Sequence, residues 1–116
     1  FFKNKSSIVN ISSFSSISGG PYSSHYAISK SGIETLTKNL SIFFKDKKIR
    51  VNAISPGLIR TRLAKNFKNH PYFERILLNR IGETEEITNV VEFLLSNKSS
   101  YINGQIINVD GGMFLK

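Results

Sequence analysis

Two side chains are spaced for proton chemistry, with a serine upstream of them. Tyr26 and Lys30 form a Tyr-x-x-x-Lys pair, and Ser13 stands thirteen residues before the tyrosine. Four residues is about one helical turn, so a helix through both puts the phenol and the ammonium on one face. A free tyrosine has a pKa of about 10 and exchanges protons poorly near neutrality. An ammonium nearby favours the phenolate. Opposite charges about 4 Å apart, at an effective dielectric near 20, attract by about 4 kcal/mol, and one pKa unit is about 1.4 kcal/mol. The pair suits proton exchange with an oxygen. Taken singly, each residue also has a plain reading: a helix-start aromatic, a surface lysine, a serine that ends a strand.

The elements that must position these groups alternate. Ser7 to Ile11 is a β-rich run and predicts a first strand. Ser12 to Ser24, rich in Ser and Gly, reads as a loop in which Ser15, Ser16 and Ser18 only fill space. From about Ser24 to Phe44 the apolar residues Ile33, Leu36, Leu40, Phe43 and Phe44 recur at helical spacing. Gly32 inside that helix costs about 1 kcal/mol against alanine, so close packing is expected there. Ile49 to Ile54 is a second strand, stopped by Pro56-Gly57, which is also a turn by propensity. Thr61 to about Leu78, broken by Pro71, predicts one or two short helices. Glu85 to Leu95 is a further helix, with Glu83, Glu85 and Glu86 where the dipole favours anions. A turn at Asn103-Gly104 precedes a last strand, Gln105 to Val109. Strand, helix, strand, helix, strand predicts an α/β fold with a parallel sheet. The first strand would then present an unpaired edge.

Composition narrows the classes. Of the 116 residues, 40% are apolar and 21% charged, as in globular proteins. No apolar run is long enough to span a bilayer, and no signal peptide is legible, so a cytoplasmic location and no membrane partner are expected. There is no cysteine, and His25 and His70 are isolated, so no metal site is expected. The net charge of +8 raises nucleic-acid binding. The basic residues are scattered, however, and the run Lys45-Asp46-Lys47-Lys48 falls where a helix ends and cations are favoured. Without a basic stripe on a recognition helix, no nucleic-acid partner is expected. The chain does not begin with methionine and so reads as a fragment, with residues 1–116 forming one partial domain.

Asn10-Ile11-Ser12-Ser13, a Ser/Gly loop and Tyr26-Ala27-Ile28-Ser29-Lys30 together resemble the active-site segment of the short-chain dehydrogenase/reductase family. Arg50-Val51-Asn52-Ala53-Ile54-Ser55-Pro56-Gly57 is similar to that family's strand and Pro-Gly turn beside the cofactor. Gly104 to Gly112 (GQIINVDGG) is similar to its last strand. The resemblance covers nearly the whole chain and corresponds to the C-terminal half of a Rossmann-type doubly wound sheet. It implies a catalytic set of Ser13, Tyr26 and Lys30, with NADP or NAD as cofactor. Tyr26 would exchange the proton, Ser13 would hold the substrate oxygen, and Lys30 would bind the nicotinamide ribose. Tyr26, Lys30, Pro56, Gly57, Ile59 and Thr61 would form the cofactor-binding set. Ile59 would meet the carboxamide through its backbone, and Thr61 the carboxamide or the phosphates.

The implied reaction is NAD(P)-dependent interconversion of a carbonyl and a secondary alcohol. Overall similarity leans toward 3-oxoacyl carrier-protein reductases, with sugar and polyol dehydrogenases in the same branch. The alternative is an inactive truncated remnant, or an interaction domain of the same fold. The family's glycine-rich dinucleotide loop has no counterpart here: Gly19-Gly20-Pro21 lacks the G-x-G-x-x-G context. Ser16 and Thr84 depart from a frequent glycine and a frequent proline. The complete protein is expected to be a homo-oligomer. Arg60, Arg62, Lys65, Lys68, Arg75 and Arg80, interspersed with Phe67, Tyr72 and Phe73, suggest a basic lid for an anionic or carrier-bound substrate. A solvated amphipathic helix is the competing reading of that stretch.

Overall fold

The computed structural model describes residues 5–20, 23–62, 64 and 66–115. Three parallel strands form its sheet: β1 (Ser7–Ile11), β2 (Arg50–Pro56) and β3 (Ile106–Val109), in the order β1-β2-β3. Helices α1 (Ser15–Ser18) and α2 (Ser24–Phe43) lie between β1 and β2, and α3 (Thr84–Leu95) lies between β2 and β3. Ser7 pairs with Arg50 and Ile11 with Ile54, while Ala53 pairs with Ile106 and Pro56 with Val109. β2 is the central strand, and Val51, Asn52, Ala53, Ile54 and Ser55 are all buried.

Side chains alternate across the sheet and divide the helices between its faces. Ile8 and Val51 pack with Leu40, Phe44 and Ile49 on the α2 face, where Asn10 also bonds Thr37 of α2 at 2.9 Å. Ser7 and Arg50 point the other way and reach the end of α3, each donating to the Leu94 carbonyl. The Arg50 guanidinium also donates to the Ser96 carbonyl at 3.0 Å and to the Ser99 hydroxyl at 3.0 Å. A cation there satisfies carbonyls that the helix leaves without partners. Buried Asn52 fixes the approach to β3, giving its amide to the Ile102 carbonyl and accepting the Gln105 N–H, both at 3.0 Å.

Several expectations shift. β1 has the predicted bounds, but β2 starts one residue later than expected and runs on through Pro56, and β3 starts at Ile106 rather than Gln105. The loop after β1 contains a helical turn, α1. Among the described residues, the stretch from Thr61 to Leu78 holds a single 3-10 turn, Phe73–Arg75, and no α-helix. Helical periodicity in α2 marked more than the inner face: Leu36 and Phe43 are exposed, and the fully inward residues are Ala27 and Thr37. Gly32 has no close packing either, since an added Cβ would meet nothing within 4 Å.

A second apolar cluster lies beyond the strand ends. Leu58, Ile76, Ile81 and Met113 are buried together, with Phe14, Phe67, Tyr72, Phe73 and Phe114 against them. The chain after β2 therefore folds down over the tip of the sheet instead of standing free as a solvated helix.

Candidate active site

Ser13, Tyr26 and Lys30 are set by two elements meeting at one end of the sheet. Past Ile11, the Ser12 and Phe14 amides continue to donate to β2, reaching the Ile54 and Pro56 carbonyls at 2.7 and 3.0 Å. The return donation stops because Pro56 has no N–H. The chain is thus held straight through Ser13 and released immediately afterwards into α1. Ser13 is 7% exposed. Its Oγ accepts the Ser15 N–H at 3.2 Å and lies 3.4 Å from the Ser15 hydroxyl.

Tyr26 sits in the first turn of α2 and is 43% exposed. Lys30 follows one turn later on the same face. Its Nζ lies 5.5 Å from the centroid of the Tyr26 ring and donates to the Ile11 carbonyl at 3.1 Å. One ammonium thus reaches both the phenol ring and the strand end that carries Ser13, two residues on. An ammonium keeps further donors when one is used, so Lys30 can hold a second oxygen ligand without releasing Ile11.

Pro56 ends the neighbouring strand, and Gly57, Ile59 and Thr61 lie just beyond it. Gly57 is required by contact: a Cβ there would stand 2.8 Å from both Cα and Cβ of Asp110. Ile59 forms an isolated parallel bridge with Gly82. The bridge uses the Arg60 N–H, the Leu58 carbonyl and both polar groups of Gly82, at 2.8 and 2.9 Å. Among the described residues the N–H and carbonyl of Ile59 itself have no partner, and in a parallel ladder they face away from the bridge. A primary amide has one donor face and one acceptor face, so this pair fits a carboxamide. Thr61 is exposed, and its hydroxyl accepts the Ala64 N–H at 3.1 Å, which leaves its own O–H to donate.

The basic stretch is less free than its composition suggested. Arg60 pairs with Glu83 at 3.0 Å and Arg80 with Glu86 at 2.7 Å. Arg75 lies over the rings of Tyr72 and Phe114, 5.7 and 5.1 Å from their centroids. Arg62 and Lys68 are exposed, and Lys65 lies outside the described residues. Glu83 and Glu86 also close a capping box at the start of α3. The Arg80 guanidinium and the Glu83 backbone N–H hold the Glu86 carboxyl down at about 2.

Residue types and spacing did not flag Glu34, Ser12 and Ser16 as part of this region. Glu34 accepts both serine hydroxyls through one oxygen. The legible signal was its place on the stripe Tyr26, Lys30, Glu34 at successive four-residue steps. Beside α1, a cleft of about 160 Å³ runs between Phe14, Ser18, Gly20 and Ser23 on one side and His70 and Tyr72 on the other. No three His, Asp or Glu side chains among the described residues gather as metal ligands. No described helix is long and apolar enough to cross a membrane.

Parallel strands whose carboxyl ends carry a serine, a Tyr-x-x-x-Lys helix and a Pro-Gly turn define a short-chain dehydrogenase/reductase frame. Residues 1–114 match the family model described as Enoyl-(Acyl carrier protein) reductase, and the chain belongs to that family. It is similar to 3-oxoacyl-(acyl-carrier-protein) reductase FabG of Chlamydia muridarum, at 46% identity over 110 residues, which are 91% of this chain and 44% of that protein. FabG of Thermotoga maritima is 40% identical over 112 residues, covering 94% of this chain and 46% of its own length. A solved short-chain type dehydrogenase/reductase from Mycobacterium ulcerans superposes with a TM-score of 0.88 at 35% identity, over 95% of this chain and 42% of that one. The chain spans less than half the length of these relatives.

Proposed function

We propose that these residues serve an NAD(P)-dependent oxidoreductase that interconverts a carbonyl and a secondary alcohol, with a 3-oxoacyl thioester on a carrier as the substrate class. The observation that carries the reading is the double reach of Lys30, to the Tyr26 ring and to the Ile11 carbonyl. Family membership and the names of the similar proteins support the chemistry and the substrate class. The cleft beside α1, walled by Phe14 and Tyr72, suits an acyl chain.

The nicotinamide supplies or accepts the hydride when bound. In the reducing direction Tyr26 gives its phenolic proton to the carbonyl oxygen, and Ser13 hydrogen-bonds that oxygen and holds it near the phenol. Lys30 stabilises the phenolate left behind and binds ribose hydroxyls with its remaining donors. The N–H and carbonyl of Ile59, without a partner among the described residues, would hold the carboxamide, and Thr61 would donate its hydroxyl nearby. In the oxidising direction the same proton returns to Tyr26. The assembly in solution is proposed to be a homo-oligomer, and the cofactor NADP or NAD.

The test is steady-state turnover of the protein expressed in full from its gene, with NADPH and NADH, on 3-oxoacyl and enoyl thioesters. Cofactor-dependent loss of the 3-oxoacyl substrate, absent in Tyr26→Phe, is expected. Turnover of the enoyl substrate alone would replace carbonyl reduction by double-bond reduction. A folded protein that turns over neither substrate would leave the interaction-domain reading in place.

A further inference from the structure

The stripe of α2 that carries Tyr26 and Lys30 continues one turn further to a carboxylate. Glu34 Oε1 accepts the Ser12 hydroxyl at 2.7 Å and the Ser16 hydroxyl at 2.5 Å. These two serines bracket Ser13. Ser12 precedes it directly, is 3% exposed and also lies 3.3 Å from the Lys30 carbonyl. Ser16 follows three residues later and shares its proton with the Ser13 carbonyl at 2.8 Å. Neither ion pair found among the described residues involves Glu34, so its polar contacts there go to the segment around Ser13.

We propose that Glu34 is a positioning residue: through Ser12 and Ser16 it pins the turn bearing Ser13 onto the helix bearing Tyr26 and Lys30. The proposal rests on the reading of Ser13 and Tyr26 as the pair that handles the substrate oxygen. Ser13 and Tyr26 belong to different elements, and contacts between those elements set their separation. Asn10 and Thr37 tie β1 to α2 well before the site. From Ile11 onward the polar side-chain ties to α2 among the described residues are the Lys30 ammonium, the Ser12 hydroxyl 3.3 Å from the Lys30 carbonyl, and the Glu34 carboxylate. The ammonium holds one carbonyl before Ser13, whereas the carboxylate holds side chains on both sides of it. Hydrogen bonds to an ionised acceptor are short and stronger than neutral ones, and a catalytic group displaced by about 1 Å can cost about a hundredfold in rate.

The experiment uses the protein expressed in full, with Glu34→Ala, Glu34→Gln and Ser16→Ala. Turnover per folded molecule is read beside amide hydrogen exchange across residues 13–18. Glu34→Ala is expected to lower kcat by about ten- to a hundredfold with the cofactor KM unchanged, and to speed exchange in that segment. Glu34→Gln keeps an oxygen that accepts both hydroxyls and is expected to restore most of the rate and the protection. If Glu34→Ala does not fold, Ser16→Ala reads the same effect at smaller amplitude. An unchanged kcat per folded molecule in the variant that folds overturns the proposal. So does a Glu34→Gln protein as slow as Glu34→Ala. If the unmodified protein does not turn over, the oxidoreductase reading fails by itself. Exchange then decides the clamp, and unchanged exchange at residues 13–18 in Glu34→Ala removes it.

Discussion

Lys30 donates to the carbonyl of Ile11 at 3.1 Å, a bond that joins the first turns of α2 to the end of β1. Because the same ammonium lies 5.5 Å from the Tyr26 ring centroid, one side chain couples the placement of the strand end to the electrostatics of the phenol. Lys30→Met should therefore lose both roles. Turnover is expected to fall by about a hundredfold or more, as when a positioned proton-transfer partner is lost. Lys30→Arg should recover only part of this, because a planar guanidinium does not replace a compact ammonium. Comparing kcat for the two variants with that of Tyr26→Phe checks the prediction.

Gly57 packs against the backbone of Asp110, so the contact cannot be relieved by rotating a side chain. Gly57→Ala would place a methyl 2.8 Å from Asp110 Cα and push the ends of β2 and β3 apart. A loss of about 1–3 kcal/mol is expected from such overpacking, with weaker cofactor binding, because Ile59 lies two residues on. Urea unfolding and cofactor titration on one preparation would measure both.

Glu86 is held at about 2 by its hydrogen bonds from Arg80 and the Glu83 N–H, against an ordinary value of 4.5. The folded value lies below the unfolded one, so between them the unfolded chain binds more protons and stability rises with pH. The contribution is present above about 4.5 and is lost as pH falls toward 2. The pair is exposed, so solvent screens it and the effect is small. Glu86→Gln should flatten that part of the stability profile while leaving the capping oxygen, as read from urea midpoints across the acid range.

Arg50 makes one half-buried hub of the β2 start, the α3 end and the turn before β3. Arg50→Met keeps the aliphatic stem but leaves the Leu94 and Ser96 carbonyls without this donor. Both carbonyls keep serine hydroxyl donors, Ser7 and Ser99 for Leu94 and Ser99 for Ser96, so what is lost is hydrogen bonding from a charged group, about 1.5–3 kcal/mol. A fall in the thermal midpoint is expected with little change in kcat per folded molecule, since the hub lies at the far end of the strand from Ser55 and Pro56. A kcat that fell in step with stability would show that the two ends of the sheet are coupled.

The local pattern by itself determined the alternation of the three strands with the two long helices, the strand β1 to the residue, and the helix that carries Tyr26 and Lys30. Those features follow from short-range physics: alternation for strands, near-four-residue spacing for helices, and the missing N–H of Pro56 as a stop. The spacing of Tyr26 and Lys30 was legible for the same reason, because one turn of helix fixes it, whereas Ser13 joined them only through the family resemblance. Tertiary structure decided the rest. It turned a stretch legible as a basic lid into an aromatic cluster, with Arg60 and Arg80 paired to acids at the start of α3 and Arg75 laid over rings. It left Leu36 and Phe43 outside on a helix whose periodicity predicted one apolar face. It also gave Ser16, which reads as loop filling, a bond to Glu34 eighteen residues away. Each of these depends on which distant groups the sheet brings into contact, and no local pattern encodes a distance between residues far apart in the chain.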